Sequence, residues 1–133
     1  IREINERRQL GPGWTSRLIQ RVLLEMLTSP QIDEQIDVAA AQYHYRREQL
    51  RAELLATGIE VGAGRGLNMW VPVEREQLAT ICLAAQGVGV APGEPFRVTS
   101  TGDFLRVTSA QVRGDFADIA AKIAAVATIT GNR

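Results

Sequence analysis

The apolar residues of this sequence change their period near residue 66, and this change limits the folds open to the chain. Upstream, apolar side chains recur every three or four residues, as on one face of a helix. Downstream they occupy alternate positions at Leu67, Met69, Val71 and Val73, which is typical of a strand. Pro72 has no backbone donor and therefore predicts an edge position or the end of that strand. The chain must combine helices with a sheet.

Helical spacing predicts helices over residues 15–28, 33–57, 75–86 and 115–128. Thr15 or Ser16 is placed to cap the first helix, and Gly58 is placed for a left-handed cap after the second. An apolar stripe on the first helix contains Leu18, Val22 and Met26. The predicted buried face of the third helix consists of Leu78, Ile81, Cys82 and Ala85.

Two further strands are predicted at residues 87–90 and 104–109, between breaker clusters. Each helix stripe and sheet face needs an apolar partner, so the elements must pack as layers. The predicted fold class is α/β in the α+β sense: a small antiparallel or mixed sheet of about three strands packed against helices. A length of 133 residues suits one domain with a core of its own.

Composition and charge exclude several classes of protein. The formal net charge is zero, whereas nucleic-acid-binding domains usually carry excess lysine and arginine. No apolar run approaches the roughly 18 residues of a membrane helix, and the charged start at Ile1 resembles no signal peptide. The missing initial Met suggests a piece of a longer protein. Cys82 is the only cysteine, which excludes an internal disulfide and fits the cytoplasm.

Arg106 is the main candidate for ligand binding. It lies in a strand where Leu105 and Val107 point to one face, and Arg106 and Thr108 to the other. A guanidinium held by a rigid strand presents paired donors that match the two oxygens of a carboxylate. The alternative is a surface arginine paired with a nearby acid, and the residue pattern alone favours this alternative.

Four other features have structural explanations that outweigh functional ones. The glycine-rich segment 62–68 lacks the context of a nucleotide-binding loop, and we interpret it as a tight turn rather than a ligand contact. The basic run 45–51 is interpreted as a solvated helix face rather than a phosphate patch. His44 is expected to be half-buried, with no metal site around it. Lys122, the only lysine, flanks an apolar stripe, which makes it a poor Schiff-base residue.

Four segments in order resemble the C-terminal domain of class I/II aminotransferases of the aspartate aminotransferase fold. They are Tyr45-Arg46-Arg47-Glu48-Gln49-Leu50, Gly64-Arg65-Gly66-Leu67-Asn68-Met69-Trp70-Val71, Gly87-Val88-Gly89-Val90-Ala91-Pro92-Gly93-Glu94-Pro95-Phe96 and Leu105-Arg106-Val107-Thr108. The stretch beginning Gly11-Pro12-Gly13-Trp14 is similar to MocR-type regulators of the GntR class, which join a DNA reader to an aminotransferase-like domain.

The resemblance implies a domain plan and a ligand site. Residues 1–30 would connect from a missing large domain, and residues 31–133 would form the small domain. Arg106 falls on the family's arginine for the carboxylate of an amino or keto acid, and Gly66 and Asn68 fall where backbone approaches the substrate. Arg65 and Asn68 depart from the family pattern, which leaves the substrate's identity open.

The resemblance also implies what the chain lacks. Pyridoxal 5'-phosphate, its Schiff-base lysine and the other catalytic groups would belong to the upstream large domain, so the chain alone is not expected to be an enzyme. The parent would be a homodimer that reaches DNA only through a further upstream domain, and not a membrane protein. Three possibilities stay open: a ligand sensor of a transcriptional regulator, the small domain of a free-standing aminotransferase, or a domain kept for packing and dimerisation.

Overall fold

The computed structural model describes residues 3, 6, 16–98 and 101–128. The two long ranges contain four helices and three strands, which confirms the predicted α+β class. The helices are α1 (Arg17–Thr28), α2 (Pro30–Ala56), α3 (Glu76–Ala85) and α4 (Phe116–Ala127). The strands are β1 (Met69–Val73), β2 (Ala91–Pro92) and β3 (Asp103–Val107), and short 3-10 turns cover Glu94–Phe96 and Ser109–Gln111.

The chain forms two compact units that divide after Ala39. In the first unit, α1 begins where the Ser16 side chain accepts a hydrogen bond from the Ile19 amide at 3.5 Å. This confirms Ser16 as the cap, while Thr15 and the breaker cluster 11–14 lie outside the described residues. No α1 side chain is buried, so the predicted stripe of Leu18, Val22 and Met26 is exposed in this chain.

The second unit contains the sheet, in which β3 lies between β1 and β2 and both pairings are antiparallel. The edge position of β1 confirms the prediction made from Pro72. The predicted strand at 87–90 is wrong. The amides of Gly87 and Val88 donate to carbonyls at the end of α3, and Gly87 has a φ of 77°. These residues cap α3, and the strand begins only at Ala91.

One face of the sheet carries the core. Met69 and Val71 of β1 and Leu105 and Val107 of β3 point into it, as alternation predicts. The helices cover this face with a larger set of buried side chains: Leu50, Leu54, Ala79, Leu83, Ala120, Ile123 and Val126. After α2, Gly58 has a φ of 87° and Ile59 donates back to Leu54, which confirms the predicted left-handed cap.

The buried face of α3 differs from the prediction. Ile81 is 67% exposed and Ala85 is also exposed, while Ala79 and Leu83 enter the core together with Glu76. Two polar contacts explain this rotation. Asp103 accepts a hydrogen bond from the Glu76 amide at 3.0 Å at the start of the helix, and the Glu76 carboxylate is itself held in the interior.

The Glu76 carboxylate joins α3 to the β2–β3 connection. It is 5% exposed and accepts hydrogen bonds from the backbone amides of Gly93, Glu94 and Phe104 at 3.2, 3.0 and 3.2 Å. Arg97 adds an ion pair at 3.1 Å. Four donors therefore offset the cost of burying this charge, and they fix the connection that leads into the central strand.

Candidate functional site on the outer sheet face

The sheet face opposite the core, called here the outer face, carries the predicted ligand residue. Its strand residues are Asn68 beside β1, then Trp70, Pro72, Ala91, Phe104, Arg106 and Thr108 beside β3. Arg106 lies in the central strand, paired with Trp70 on one side and Ala91 on the other. Leu105 and Val107 are buried on the opposite face, so the alternation predicted around Arg106 is confirmed.

The Arg106 guanidinium is held against an aromatic ring, and none of the described carboxylates pairs with it. Its Cζ lies 4.0 Å from the centre of the Phe96 ring, a cation–π contact. Its Nε is buried without a hydrogen-bond partner, and no ion pair joins Arg106 to a carboxylate within the described ranges. The alternative interpretation, a surface arginine paired with a nearby acid, therefore has no supporting ion pair among the described residues. A buried, unsatisfied donor is costly, and an incoming acceptor would relieve that cost.

Asn68 lies on the same face as Arg106, two residues before Trp70, the cross-strand partner of Arg106. The Thr108 hydroxyl donates to Asn68 Oδ1 at 2.9 Å, directly beyond the last strand pair of β1 and β3. The Asn68 side chain is exposed, and its amide nitrogen makes no hydrogen bond to any described residue. Asn68 and Arg106 thus both present N–H donors on the outer face.

Gly66 forms the turn that leads into β1. Its φ of 106° lies in the left-handed region, and a Cβ there would meet nothing within 4 Å. The glycine is therefore required by backbone conformation rather than by crowding, as the turn interpretation expects. The residue is exposed, so its backbone remains accessible at this end of the outer face.

The basic run on α2 is not the solvated face that the sequence predicted. Arg47 is 5% exposed, and its Nη1 donates to the Asn68 carbonyl at 2.6 Å. Arg46 donates to the Ala110 carbonyl at 2.6 Å, and Arg51 donates to the Val61 carbonyl at 3.2 Å. Arg47 and Arg51 thus tie α2 to the connection between α2 and β1, and Arg46 ties it to the 3-10 turn after β3, because a guanidinium offers several donors on a long stem.

Arg47 also explains the glycine at position 64. A Cβ on Gly64 would lie 2.8 Å from Arg47 Nη2, so the guanidinium occupies the space that a side chain would need. The sequence held a signal for this role: Arg47, Leu50 and Leu54 have i, i+3, i+7 spacing and share one helix face. The same spacing joins Glu76, Ala79 and Leu83 on α3.

The remaining candidates lie away from the outer face. His44 is exposed on α2, so the expectation of a half-buried histidine is wrong. Lys122 forms an ion pair with Asp118 at 2.8 Å, one turn away on α4. Among the residues that the structure describes, no three histidine, cysteine or acidic side chains converge as metal ligands. None of the helices in the described ranges combines the length and apolarity needed to cross a bilayer.

Comparisons with known proteins place this helix-packed antiparallel sheet in a class. A model of the family described as aminotransferase class I and II matches residues 6–122. The fold is similar to the crystal structure of an aminotransferase from Mycobacterium tuberculosis, with a TM-score of 0.59 and 25% identity. That match covers 73% of this chain and 27% of the aminotransferase. The fold is therefore that of an aminotransferase-like α+β domain.

This chain belongs to the aminotransferase class I and II family, which confirms the resemblance seen in its four segments. It is also 32% identical over 99 residues to the vitamin B6 salvage pathway transcriptional repressor PtsJ of Salmonella typhimurium. That match covers 74% of this chain and 23% of the repressor. The chain thus spans about a quarter of the length of the two relatives.

Proposed function

We propose that this chain is the C-terminal small domain of a longer aminotransferase-like protein, in which Arg106 binds the carboxylate of an amino acid or keto acid. The carrying observation is the state of its guanidinium: its Cζ lies 4.0 Å from the centre of the Phe96 ring, and its buried Nε has no acceptor among the described residues. A carboxylate accepts two parallel hydrogen bonds from such a group, and the β-strand that carries Arg106 holds the donors in a fixed orientation.

Asn68 and Gly66 complete the proposed contact. The Asn68 amide nitrogen provides a donor on the same sheet face as the guanidinium, while its Oδ1 accepts from the Thr108 hydroxyl at 2.9 Å. The exposed backbone at Gly66 carries no side chain that would block a ligand approaching this end of the face. Arg47 holds this segment through the Asn68 carbonyl and so acts as a positioning residue.

The parent is proposed to be a MocR-type transcriptional regulator of the GntR class, and this domain its effector-sensing part. The similarity to a transcriptional repressor supports that choice. Such a parent would be a cytoplasmic homodimer, and it would bind DNA only through a domain upstream of this chain. The similarity to an aminotransferase supports the second candidate, the small domain of a free-standing enzyme. A winged helix-turn-helix at the start of the parent would favour the regulator, and a start within the large domain would favour the enzyme.

The family implies pyridoxal 5'-phosphate in the parent, but the residues of this chain do not fit the lysine that the cofactor requires. Pyridoxal chemistry needs a lysine amine free to form a Schiff base. Lys122 is the only lysine, and its amine is paired with Asp118 at 2.8 Å on the surface of α4. The cofactor's lysine is therefore assigned to the upstream large domain, and no reaction step is assigned to this chain.

The carboxylate site is tested in the full-length parent with Arg106→Ala. We expect the affinity for a keto acid such as pyruvate to fall by about 1.5–3 kcal/mol, the usual contribution of a hydrogen bond to a charged group. This corresponds to roughly 10- to 150-fold in Kd, measured by isothermal titration calorimetry. Pyridoxal-phosphate affinity should not change.

The control is Arg113→Ala, because Arg113 is an exposed arginine that makes no hydrogen bond or ion pair to a described residue. It should leave keto-acid affinity unchanged. Equal affinities in Arg106→Ala and the unmodified parent would refute the assignment.

A further inference from the structure

The outer face carries a single charge among its strand residues. Arg106 is charged, while the other positions on that face are aromatic, small or neutral: Asn68, Trp70, Pro72, Ala91, Phe104 and Thr108. A ligand with a second carboxylate would need another cation on these strands, and a ligand with a basic side chain would need an acid. Neither group is present at these positions. These strand positions therefore match a ligand with one anionic group and an uncharged body.

Two aromatic rings border the guanidinium. Trp70 is paired directly across from Arg106 on β1, so their side chains leave the sheet at adjacent positions. Phe96 touches the guanidinium from the 3-10 turn after β2, at 4.0 Å from ring centre to Cζ. The two ring centres are 6.3 Å apart and their planes are inclined by 59°. Arg106 is thus flanked by an angled pair of rings.

Both rings keep a large apolar surface uncovered. Trp70 is 44% exposed and Phe96 is 45% exposed, although an aromatic side chain gains most of its stabilisation when buried. The mutual contact of the rings leaves nearly half of each one open. A third ring placed beside them would bury this surface and add an edge or offset-stacked aromatic contact.

We infer that the ligand of this site is an amino acid or keto acid with an aromatic side chain, selected by Trp70 and Phe96 while Arg106 holds its carboxylate. The inference rests on the carboxylate-binding role proposed above for Arg106. In an aromatic keto acid the ring is joined to the acid through a short carbon chain. This carbon chain is short enough for the ring to lie against Trp70, the cross-strand neighbour of Arg106. Asn68 Oδ1 already accepts a hydrogen bond from the Thr108 hydroxyl. The rings of Trp70 and Phe96 therefore remain as the main contact for the ligand's body.

The test measures three keto acids against the full-length parent by calorimetry: phenylpyruvate, pyruvate and 2-oxoglutarate. Phenylpyruvate is expected to bind about tenfold more tightly than pyruvate, because one aromatic pair contributes a binding free energy of about that order. 2-Oxoglutarate should gain nothing over pyruvate. Trp70→Ala should weaken phenylpyruvate about tenfold and pyruvate less than twofold. Tighter binding of pyruvate or 2-oxoglutarate than of phenylpyruvate would overturn the inference.

Two variants keep the result interpretable. Trp70→Leu retains apolar bulk on the edge strand and should lose most of the aromatic preference even if Trp70→Ala unfolds the domain. Tyr43→Ala removes a partly exposed ring from α2, away from the outer face, and should change neither affinity. Equal effects of Trp70→Leu on phenylpyruvate and pyruvate would contradict the inference.

Arg106→Ala separates this inference from the function on which it rests. If this variant weakens all three acids while Trp70→Leu leaves the preference for phenylpyruvate intact, the carboxylate site stands and the aromatic selection is wrong. If Arg106→Ala weakens none of the acids, the proposed site fails and the aromatic selection fails with it. Loss of all three acids in Arg106→Ala, with selective loss of phenylpyruvate in Trp70→Leu, supports both.

Discussion

Replacing Glu76 by glutamine is expected to destabilise the second unit strongly, although the two side chains have nearly the same shape. In the native chain, Oε2 of Glu76 accepts from the Gly93 amide, the Phe104 amide and the Arg97 guanidinium, and Oε1 accepts from the Glu94 amide. A glutamine can direct its single oxygen to only one of these positions. Its NH2 group then faces an N–H donor.

The expected loss follows from those contacts. The best glutamine orientation keeps its oxygen at the Oε2 position and leaves the Glu94 amide without an acceptor, which costs about 1–3 kcal/mol. The remaining bonds lose their charge assistance, which accounts for about half of their strength, and the bond from Arg97 no longer has an anionic acceptor. The sum is about 3–4 kcal/mol, within the range for breaking a buried ion pair. Against a typical domain stability of about 5–15 kcal/mol, this is a large fraction.

Urea unfolding of the chain, followed by far-ultraviolet circular dichroism, measures this loss. With a slope of about 1–1.5 kcal/mol/M for a unit of this size, the midpoint should fall by roughly 2–4 M. The control is Glu94→Gln, the same chemical change at an exposed side chain, which should shift stability by less than about 0.5 kcal/mol. If the two variants unfold at the same urea concentration, the interpretation of Glu76 as the tie between α3 and the central strand is refuted.

Two further substitutions test the packing beneath the proposed site. Gly93→Ala should cost about 2 kcal/mol, because its Cβ would lie 2.7 Å from the Phe104 carbonyl oxygen; Gly89→Ala, with open space around it, should be nearly neutral. Thermal unfolding measures the pair, and equal midpoints would contradict the close approach at Gly93. Arg47→Ala should cost about 2 kcal/mol, since it removes a buried donor from the Asn68 carbonyl, and Arg47→Lys should restore less than half of that. A neutral Arg47→Ala would show that the tie between α2 and this loop contributes nothing.

Local periodicity was sufficient to predict most of the fold. Helical spacing located α4, and alternation separated the core and outer faces of β1 and β3. It failed at residues 87–90, where valines alternate with glycines as in a strand. There the left-handed conformation of Gly87 lets the chain cap α3. The backbone hydrogen bonds of that cap replace the hydrogen bonds that a strand would make to its neighbour. A local pattern cannot show which of these two sets of partners the backbone will use.

The site was predictable only in part for a related reason. Alternation placed Arg106 on the outer face, but its pairing with Trp70 depends on a register between segments more than thirty residues apart. Its contact with Phe96 depends on the connection that Glu76 holds in place. Charged residues were assumed to face solvent, so the buried roles of Arg47 and Glu76 were missed, although their helical spacing indicated them.

The central claim, that Arg106 binds a ligand carboxylate, is tested most directly by a double-mutant cycle in the full-length parent. One arm replaces Arg106 by alanine. The other arm replaces the keto acid by the corresponding carboxamide, which removes the charge of the carboxylate and keeps its shape. If the two groups touch, each change should abolish most of the effect of the other, with a coupling free energy of about 1.5–3 kcal/mol. Effects of the two changes that simply add, with no coupling, would show that the carboxylate binds elsewhere.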